Sequence, residues 1–165
     1  MSIVGLLAIA YSVAGPKPLF LLWNASASVP IGLYVVQPNR EFRVGALAVT
    51  HLPPAAEQLA AARRYLPNGV VLIKPVAAIA GTTVCRIGAG IHVSGRWTAL
   101  AQTHDRMHRE MPAWSGCQVL SSRQIFLLNP AVPDSFDGRY FGPIDTNLTV
   151  GRAFPLLTFP DASRS

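Results

Sequence analysis

The sequence predicts a mainly β, antiparallel domain with one short helix, placed behind an N-terminal membrane segment. The chain has 165 residues, enough for one domain with a hydrophobic core. Its 14 prolines and 13 glycines are spread along the sequence, which disfavours long helices and favours short strands joined by tight turns. Half of the residues are hydrophobic and only 13% are charged, a composition that excludes a disordered chain.

Short runs rich in β-branched and aromatic residues begin after Val29 and are bounded by Pro, Gly or Asn, which is typical of strands. The stronger runs are 31–36, 44–50, 70–74 and 124–128, and the weaker ones are 83–87, 91–94 and 150–159. One helix is predicted over residues 55–64, because two prolines precede a run of strong helix formers. Pro67-Asn68-Gly69 is expected to stop it.

Residues 1–23 are predicted to be a membrane anchor. Two apolar runs, 3–14 and 19–23, are separated by two prolines and a lysine, and together they approach the roughly 20 residues that a spanning helix needs. We therefore expect a short membrane helix that ends near Gly15, followed by an extended apolar piece in the interface with Trp23 as its anchor. The alternative is a cleaved signal peptide, because Ala25-Ser26-Ala27 has the A-x-A form of a cleavage site.

The rest of the chain is predicted to form one domain over residues 24–160, with a disordered tail at 161–165. Its net charge of +6 raises the question of nucleic acid, but the basic residues are mostly scattered and the only adjacent pair is Arg63-Arg64. No nucleic-acid partner is therefore expected. Attraction to an anionic membrane surface, with membrane lipid as the partner, fits this charge better.

Cysteine and histidine positions predict no metal site and no cofactor. Cys85 and Cys117 have no zinc-type spacing, so they form either one disulfide outside the cytoplasm or two buried thiols within it. His104 and His108 are four residues apart, as helical metal ligands are, but no third ligand is evident. We interpret these two histidines as part of a surface loop.

Three segments carry side chains suited to nucleophilic catalysis. In the first, the small residues 25–28 leave the hydroxyls of Ser26 and Ser28 accessible, before Pro30 and Gly32 bend the chain into a strand. A serine nucleophile needs this exposure and a backbone N–H that is free to bind an oxyanion. The alternative is an ordinary Ser/Ala linker between a membrane segment and a strand.

The second segment is a hydrophobic run that ends at Lys74. Partial burial disfavours the ammonium form and lowers the pKa of a lysine, as a general base near neutral pH requires. The alternative is a lysine at a strand end whose stem is covered and whose charge stays in water.

The third segment, residues 133–143, combines two acids, a serine, an arginine and several aromatic residues between Gly and Pro positions. This composition indicates a loop whose polar side chains are fixed by hydrogen bonds. The alternative is a simpler loop that is held by one Asp–Arg bridge.

In this order and spacing, the three segments resemble the signal-peptidase superfamily over residues 24–155, and most of all its conjugative-transfer branch, the TraF-type pilin-maturation peptidases. Residues 135–142, read as S-F-D-G-R-Y-F-G, parallel the S-x-D-S-R-x-x-G core of signal peptidases. Ser26-Ala27-Ser28, followed by residues 30–34 (P-I-G-L-Y), is similarly diagnostic when it occurs with that core. Gly138 stands where the family core has its second serine.

The resemblance implies a role for each residue of the Ser–Lys site. Ser28 would be the nucleophile, and its own N–H and the Ser26 hydroxyl would stabilise the oxyanion. Lys74 would take the Ser28 proton and return it to the leaving amine, while Ser135 would orient the lysine. The catalytic pair would thus be Ser28 and Lys74, with Asp137 and Arg139, paired with each other, as structural support.

The resemblance also implies a location and a substrate. The protein would be a serine endopeptidase of the cytoplasmic (inner) membrane with its β domain in the periplasm, where Cys85 and Cys117 would form a disulfide. It would cleave a membrane-inserted, pilin-like precursor after small residues, with hydrolysis and cyclisation both open. The alternative is a non-enzymatic exported β protein of a transfer apparatus with a cleaved signal peptide.

Overall fold

Two antiparallel sheets form the framework of the computed structural model, which describes residues 20–159. The strands in chain order are β1 (Phe20–Asn24), β2 (Ile31–Gln37), β3 (Leu47–Thr50), β4 (Leu72–Ala78), β5 (Thr83–Ile87), β6 (Gly90–Val93), β7 (Arg96–Leu100), β8 (Gly116–Val119), β9 (Gln124–Leu127), β10 (Ile144–Asp145) and β11 (Thr149–Phe159). The larger sheet has the order β1-β2-β11-β3-β4-β9-β10 and the smaller one β7-β6-β5-β8. The mainly β, antiparallel class that the sequence predicts is confirmed.

Between residues 20 and 159 the helices are short, as the proline and glycine content predicts. Helix α1 (Pro54–Ala62) begins with proline at its first turn and ends two residues before the predicted boundary, because Arg64 takes a left-handed conformation with φ 59°. A one-turn helix α2 (Gly138–Phe141) lies in the segment that was expected to be a loop. The Asp137 carboxylate caps α2 by accepting a 3.1 Å hydrogen bond from the Arg139 backbone N–H.

Strand β4 runs through Pro75, whereas the sequence predicts that it ends at Lys74. Proline is tolerated here because the backbone bonds continue on either side of it. The Pro75 carbonyl accepts from the Leu128 N–H at 3.1 Å, and the Val76 N–H donates to Ala46 O at 2.8 Å. Lys74 is therefore an interior residue of a central strand.

Other element boundaries depart from the predictions at turns. Strand β3 starts at Leu47, three residues later than predicted, after a turn at Gly45 with φ 86°. The sequence patterns missed β1, β7, β8 and β10, of which β8 is exposed throughout and β10 has only two residues. Such strands lack the alternation or the length that makes a strand recognisable.

Buried apolar clusters pack against both faces of β4. Ile73 points into a cluster with Tyr34, Val36 and Val49, and Leu72 packs against Ala60 of helix α1. Lys74 follows Ile73 in this strand, so its side chain is on the same face of the sheet as that of Leu72. The strand and its helix therefore fix the lysine inside the protein.

The smaller sheet consists of β5 to β8 and contains the Cys85–Cys117 disulfide. The two cysteines are directly opposed in the pairing of β5 with β8. The disulfide therefore cross-links the first and the last strand of this sheet in chain order, which are neighbours in space although the cysteines are 32 residues apart in sequence. The chain leaves the larger sheet after β4 and returns to it as β9, the neighbour of β4.

Residues at the predicted domain boundary are part of the larger sheet. Strand β1 starts at Phe20, so the last four residues of the predicted anchor pair with β2. The remainder of that anchor, residues 1–19, and the predicted tail, 161–165, lie outside the described residues. Between residues 20 and 159, neither helix has the length and apolar character needed to cross a membrane.

Candidate active site

The loop between β1 and β2 carries both candidate serines and is shaped by the buried side chain of Asn24. The Asn24 amide donates to the carbonyls of Ser26 at 2.8 Å, Val29 at 3.1 Å and Pro30 at 3.1 Å. Its oxygen accepts from the Ser26 N–H at 3.1 Å. One side chain therefore contacts four backbone groups of a tight loop, with two amide hydrogens shared among three carbonyls, and this fixes the position of Ser28.

The groups expected to stabilise an oxyanion lie together in this loop. The Ser26 and Ser28 hydroxyl oxygens are 2.9 Å apart, and the Ser28 N–H donates to Ser26 Oγ at 3.3 Å. Both groups are bonded within the loop, so a substrate oxygen at Ser28 would have to replace these contacts before the N–H and the Ser26 hydroxyl could donate to it.

Lys74 is 2% exposed, and its amine contacts both serines assigned to it. Nζ lies 2.7 Å from Ser28 Oγ and 2.7 Å from Ser135 Oγ. These residues are 46 and 61 positions from Lys74 in the sequence, so the fold brings three distant segments to one point. In its ammonium form the lysine donates to both hydroxyls, and as a neutral amine it can accept the Ser28 proton.

Burial lowers the pKa of Lys74 to about 8, although the nearby Asp137 carboxylate opposes this effect. Burial has the larger effect on this pKa because an ammonium loses its hydration inside the protein. The effect of Asp137 is smaller because its carboxylate is paired with Arg139. A substantial fraction of Lys74 is therefore a neutral amine under mildly alkaline conditions.

Asp137 and Arg139 form a buried ion pair, with 0% and 1% of their surface exposed. Two bonds join them, Nε to Oδ1 at 2.9 Å and Nη2 to Oδ2 at 2.8 Å. Arg139 also donates to the carbonyls of Asn129 at 2.9 Å, Val132 at 2.7 Å and Pro133 at 3.0 Å. This pair thus holds the loop that carries Ser135, and its hydrogen bonds go to that loop instead of to Lys74 or Ser28.

Asn129 is a site residue that the sequence reasoning missed. Its side-chain amide donates to the carbonyl of Ser28, and its backbone N–H donates to Asp137 Oδ2 at 3.1 Å. It therefore connects the Ser28 loop to the buried ion pair. The only sequence signal was the dipeptide Asn129-Pro130, which predicts a turn and no contact with a serine 101 residues away.

A second contact with the site comes from the smaller sheet. The buried guanidinium of Arg86 donates to the carbonyls of Arg139, Pro112 and Gly88. Strand β5 is thereby tied to helix α2 at its first turn. The smaller sheet is therefore hydrogen-bonded to the helix that carries the arginine of the buried ion pair.

The side chains of Ser28, Lys74 and Ser135 line a cavity of about 220 Å³. Its apolar walls include Ala27, Leu66, Leu72 and Val132. Within residues 20–159, no group of three His, Cys, Asp or Glu side chains is placed to hold a metal ion. His104 and His108 lie apart from this cavity's lining, on the exposed connection between β7 and β8.

A β-rich fold that places a serine hydroxyl against a buried lysine contains the groups of serine–lysine acyl transfer. The family described as signal peptidase, peptidase S26, matches residues 1–157, and the chain belongs to this family of peptidases. The resemblance that the sequence indicates is thereby confirmed.

Relatives with conjugal-transfer names share most of the chain's length. The probable conjugal transfer protein TraF of Sinorhizobium fredii is 36% identical over 148 residues, which cover 82% of this chain and 76% of that protein. A plasmid transfer protein TraF of Escherichia coli is 31% identical over 166 residues, which cover 93% of this chain and 89% of that protein. Among solved structures, a signal peptidase I from Enterococcus faecalis shows 15% identity and a TM-score of 0.39, over 68% of this chain and 96% of that one.

Proposed function

We propose that the protein is a membrane-bound serine endopeptidase in which Ser28 is the nucleophile and Lys74 the general base. The observation that carries this proposal is the 2.7 Å distance between Lys74 Nζ and Ser28 Oγ, inside a site that lowers the pKa of the lysine. A neutral amine at this distance is placed to accept a hydroxyl proton. Membership of a peptidase family supports the same reaction class.

The reaction would proceed through an acyl-enzyme. Lys74 takes the Ser28 proton while Oγ attacks the scissile carbonyl. The resulting oxyanion accepts hydrogen bonds from the Ser26 hydroxyl and from the Ser28 N–H, which gives up its bond to Ser26 Oγ. The C–N bond then breaks, and Lys74 returns the proton to the leaving amine. Water, or an amine of the substrate, attacks the ester as Lys74 takes a proton again, and Ser28 is released with its hydroxyl restored.

Ser135 and the Asp137–Arg139 pair would support this chemistry without joining it. The Ser135 hydroxyl, 2.7 Å from Nζ, limits the directions in which the amine can point. The ion pair holds the loop that carries Ser135, as its bonds to three backbone carbonyls of residues 129–133 indicate. The roles are thus orienting for Ser135 and structural for Asp137 and Arg139.

The proposed substrate is a membrane-inserted precursor, and more narrowly a pilin subunit of a conjugation system. The relatives' conjugal-transfer names support this choice. The cavity of about 220 Å³ beside Ser28 offers a place for the residues next to the cleaved bond. A cyclic product would result if the precursor's own amine, instead of water, attacked the acyl-enzyme.

A membrane location with the catalytic domain in the periplasm is part of the proposal. Strands β1 and β11 flank β2 and expose large apolar side chains on this part of the sheet: Leu21, Trp23, Leu156, Leu157 and Phe159. Apolar surface that includes tryptophan favours contact with membrane lipid. The Cys85–Cys117 disulfide is compatible with an oxidising compartment.

Ser28→Ala is expected to abolish precursor processing, because it removes the attacking oxygen. The full-length chain would be co-expressed with a candidate pilin precursor, and the products identified by mass spectrometry. Ser122→Ala, at an exposed turn between β8 and β9, is the matched control and should process as wild type does. Processing that persists in Ser28→Ala at equal protein level would refute the assignment of the nucleophile.

The value of kcat/KM should rise with pH through about 8 and level off above it. Burial lowers the pKa of Lys74 to about 8, and only the neutral amine can accept the Ser28 proton, so raising the pH through that value increases the active fraction. The measurement is peptide cleavage across roughly pH 6 to 10, with circular dichroism at each pH to confirm folding. A flat profile in that range would contradict Lys74 as the base.

A further inference from the structure

We propose that a second cavity is a substrate subsite that binds a large apolar side chain, at a position other than the small residue beside the cleaved bond. This inference rests on the proposed peptidase function. The cavity has a volume of about 500 Å³, within the roughly 300–1,000 Å³ typical of ligand sites. Most of its lining comes from the connection between β7 and β8, residues 101–115.

The second cavity adjoins the cavity at Ser28. Three residues, Tyr65, Asp134 and Phe136, line both. Side chains of an extended polypeptide alternate in direction along its length, so neighbouring pockets that share a wall can hold different residues of one bound chain. Continuity with the catalytic cavity therefore identifies the occupant as another part of the same substrate.

Five of the eleven residues that line the second cavity are aromatic or carry a thioether, and the other six are polar or charged. Phe136 is stacked on Tyr140 with ring centroids 5.8 Å apart, and it contacts Tyr65 at 5.6 Å. Met107 and Met111 complete this surface. Aromatic rings and methionine sulfur offer large apolar contact area and adapt to the shape of a side chain, which favours an aromatic or long aliphatic occupant.

The charged groups of the lining are paired with one another, which favours an uncharged occupant. Asp105 accepts from the Tyr65 hydroxyl and from Arg109 Nε at 2.7 Å. Asp134 forms an ion pair with Arg106. A charged side chain in this cavity would have to compete with these pairs, whereas an apolar one leaves them intact.

The connection that forms the cavity is preorganised by its own hydrogen bonds. The Asp105 carboxylate accepts from the backbone N–H groups of Met107 and Arg109, each at 2.9 Å. The Met111 N–H donates to Thr103 O at 2.9 Å, which closes the base of the loop. A preformed pocket loses little conformational entropy on binding, so it can contribute to selectivity between substrates.

The test uses the full-length chain with precursor-derived peptides that keep small residues at the cleaved bond and carry either Ala or Trp at each other position in turn. At one position, Trp should raise kcat/KM over Ala by roughly tenfold. Met107→Glu should remove this preference, because it places a carboxylate in the apolar wall. Ile87→Glu is the matched control: Ile87 is 64% exposed on β5, Met107 is 72% exposed, and only Met107 lines the cavity.

A binding measurement separates the subsite from the catalytic proposal. Ser28→Ala protein should bind the fluorescein-labelled Trp peptide more tightly than the Ala peptide by a similar factor, and Met107→Glu in that background should abolish the difference. Cleavage without any Trp preference, or a preference that survives Met107→Glu, would overturn the subsite. Discriminating binding by Ser28→Ala together with no cleavage by wild type would uphold the subsite and refute the peptidase function.

Discussion

Lys74→Arg is expected to lower kcat/KM for precursor cleavage by at least about 10³-fold, although it preserves the positive charge. A guanidinium keeps its proton at any pH where the protein is folded, so arginine cannot accept the Ser28 proton. Lys74 Nζ is a hydrogen-bonding partner of both Ser28 and Ser135, and the planar guanidinium would not reproduce this arrangement. The measurement is steady-state cleavage of a precursor peptide by wild type and variant, at a pH where the wild-type kcat/KM has reached its plateau.

The chain offers a matched control for this substitution, because its only other lysine is Lys17. Lys17→Arg makes the same chemical change at a position outside the described residues, and kcat/KM should stay within about twofold of wild type. Both variants would be compared by thermal unfolding, so that loss of fold is distinguished from loss of the base. Retention of more than about a tenth of wild-type activity by folded Lys74→Arg would remove Lys74 from the general-base role.

Arg139→Met should destabilise the protein by about 3–5 kcal/mol, the largest stability effect that we expect at the site. The substitution leaves the Asp137 carboxylate buried without its cation, and it removes the donors to three backbone carbonyls of residues 129–133. The loop that carries Ser135 would lose the hydrogen bonds from Arg139 that hold it in place. The free energy of unfolding, measured by urea denaturation, tests this expectation.

Arg123→Met provides the comparison for Arg139→Met. Arg123 is 72% exposed and lies 3.7 Å from Asp145, so it forms a surface ion pair, which contributes about 0–1 kcal/mol. Similar unfolding free energies for the two variants would contradict the structural role of the buried pair. A loss confined to Arg139→Met would support the view that this pair holds the site together.

The sequence patterns predicted the class of fold, whereas the expectation that Ser28, Lys74 and Ser135 form one site came from the resemblance to signal peptidases, which rests on the order and spacing of three segments. The hydrophobic run before Lys74 indicated a partly buried amine, and the small residues around Ser28 indicated an accessible hydroxyl. The run could not show that β4 continues past Pro75, because that depends on bonds to residues on neighbouring strands. Burial of Lys74 is accordingly more complete than its predicted place at a strand end implied.

The missed features depend on contacts between residues far apart in the sequence. Asn129 acts through the carbonyl of Ser28, and Asn24 acts through the backbone of the following loop. Neither amide has a motif of its own. The one-turn helix α2 forms because the Asp137 carboxylate, held by Arg139, caps its first turn. The sequence predicts the Asp–Arg pair as support for a loop and does not predict the helix.

The point at which the chain leaves the larger sheet and the point at which it returns are adjacent. Val76 is paired with Leu127 and Ala78 with Phe126 in the ladder of β4 and β9. All of the smaller sheet, with its β7–β8 connection, lies in the sequence between Ala78 and Phe126, which are partners in space. We therefore expect that such a block could be exchanged between homologues to make chimaeras while Ser28 and Ser135 stay on the recipient. Arg86 and Trp114 constrain the exchange, because any donor block must still supply donors to the carbonyls of Arg139 and Gly138.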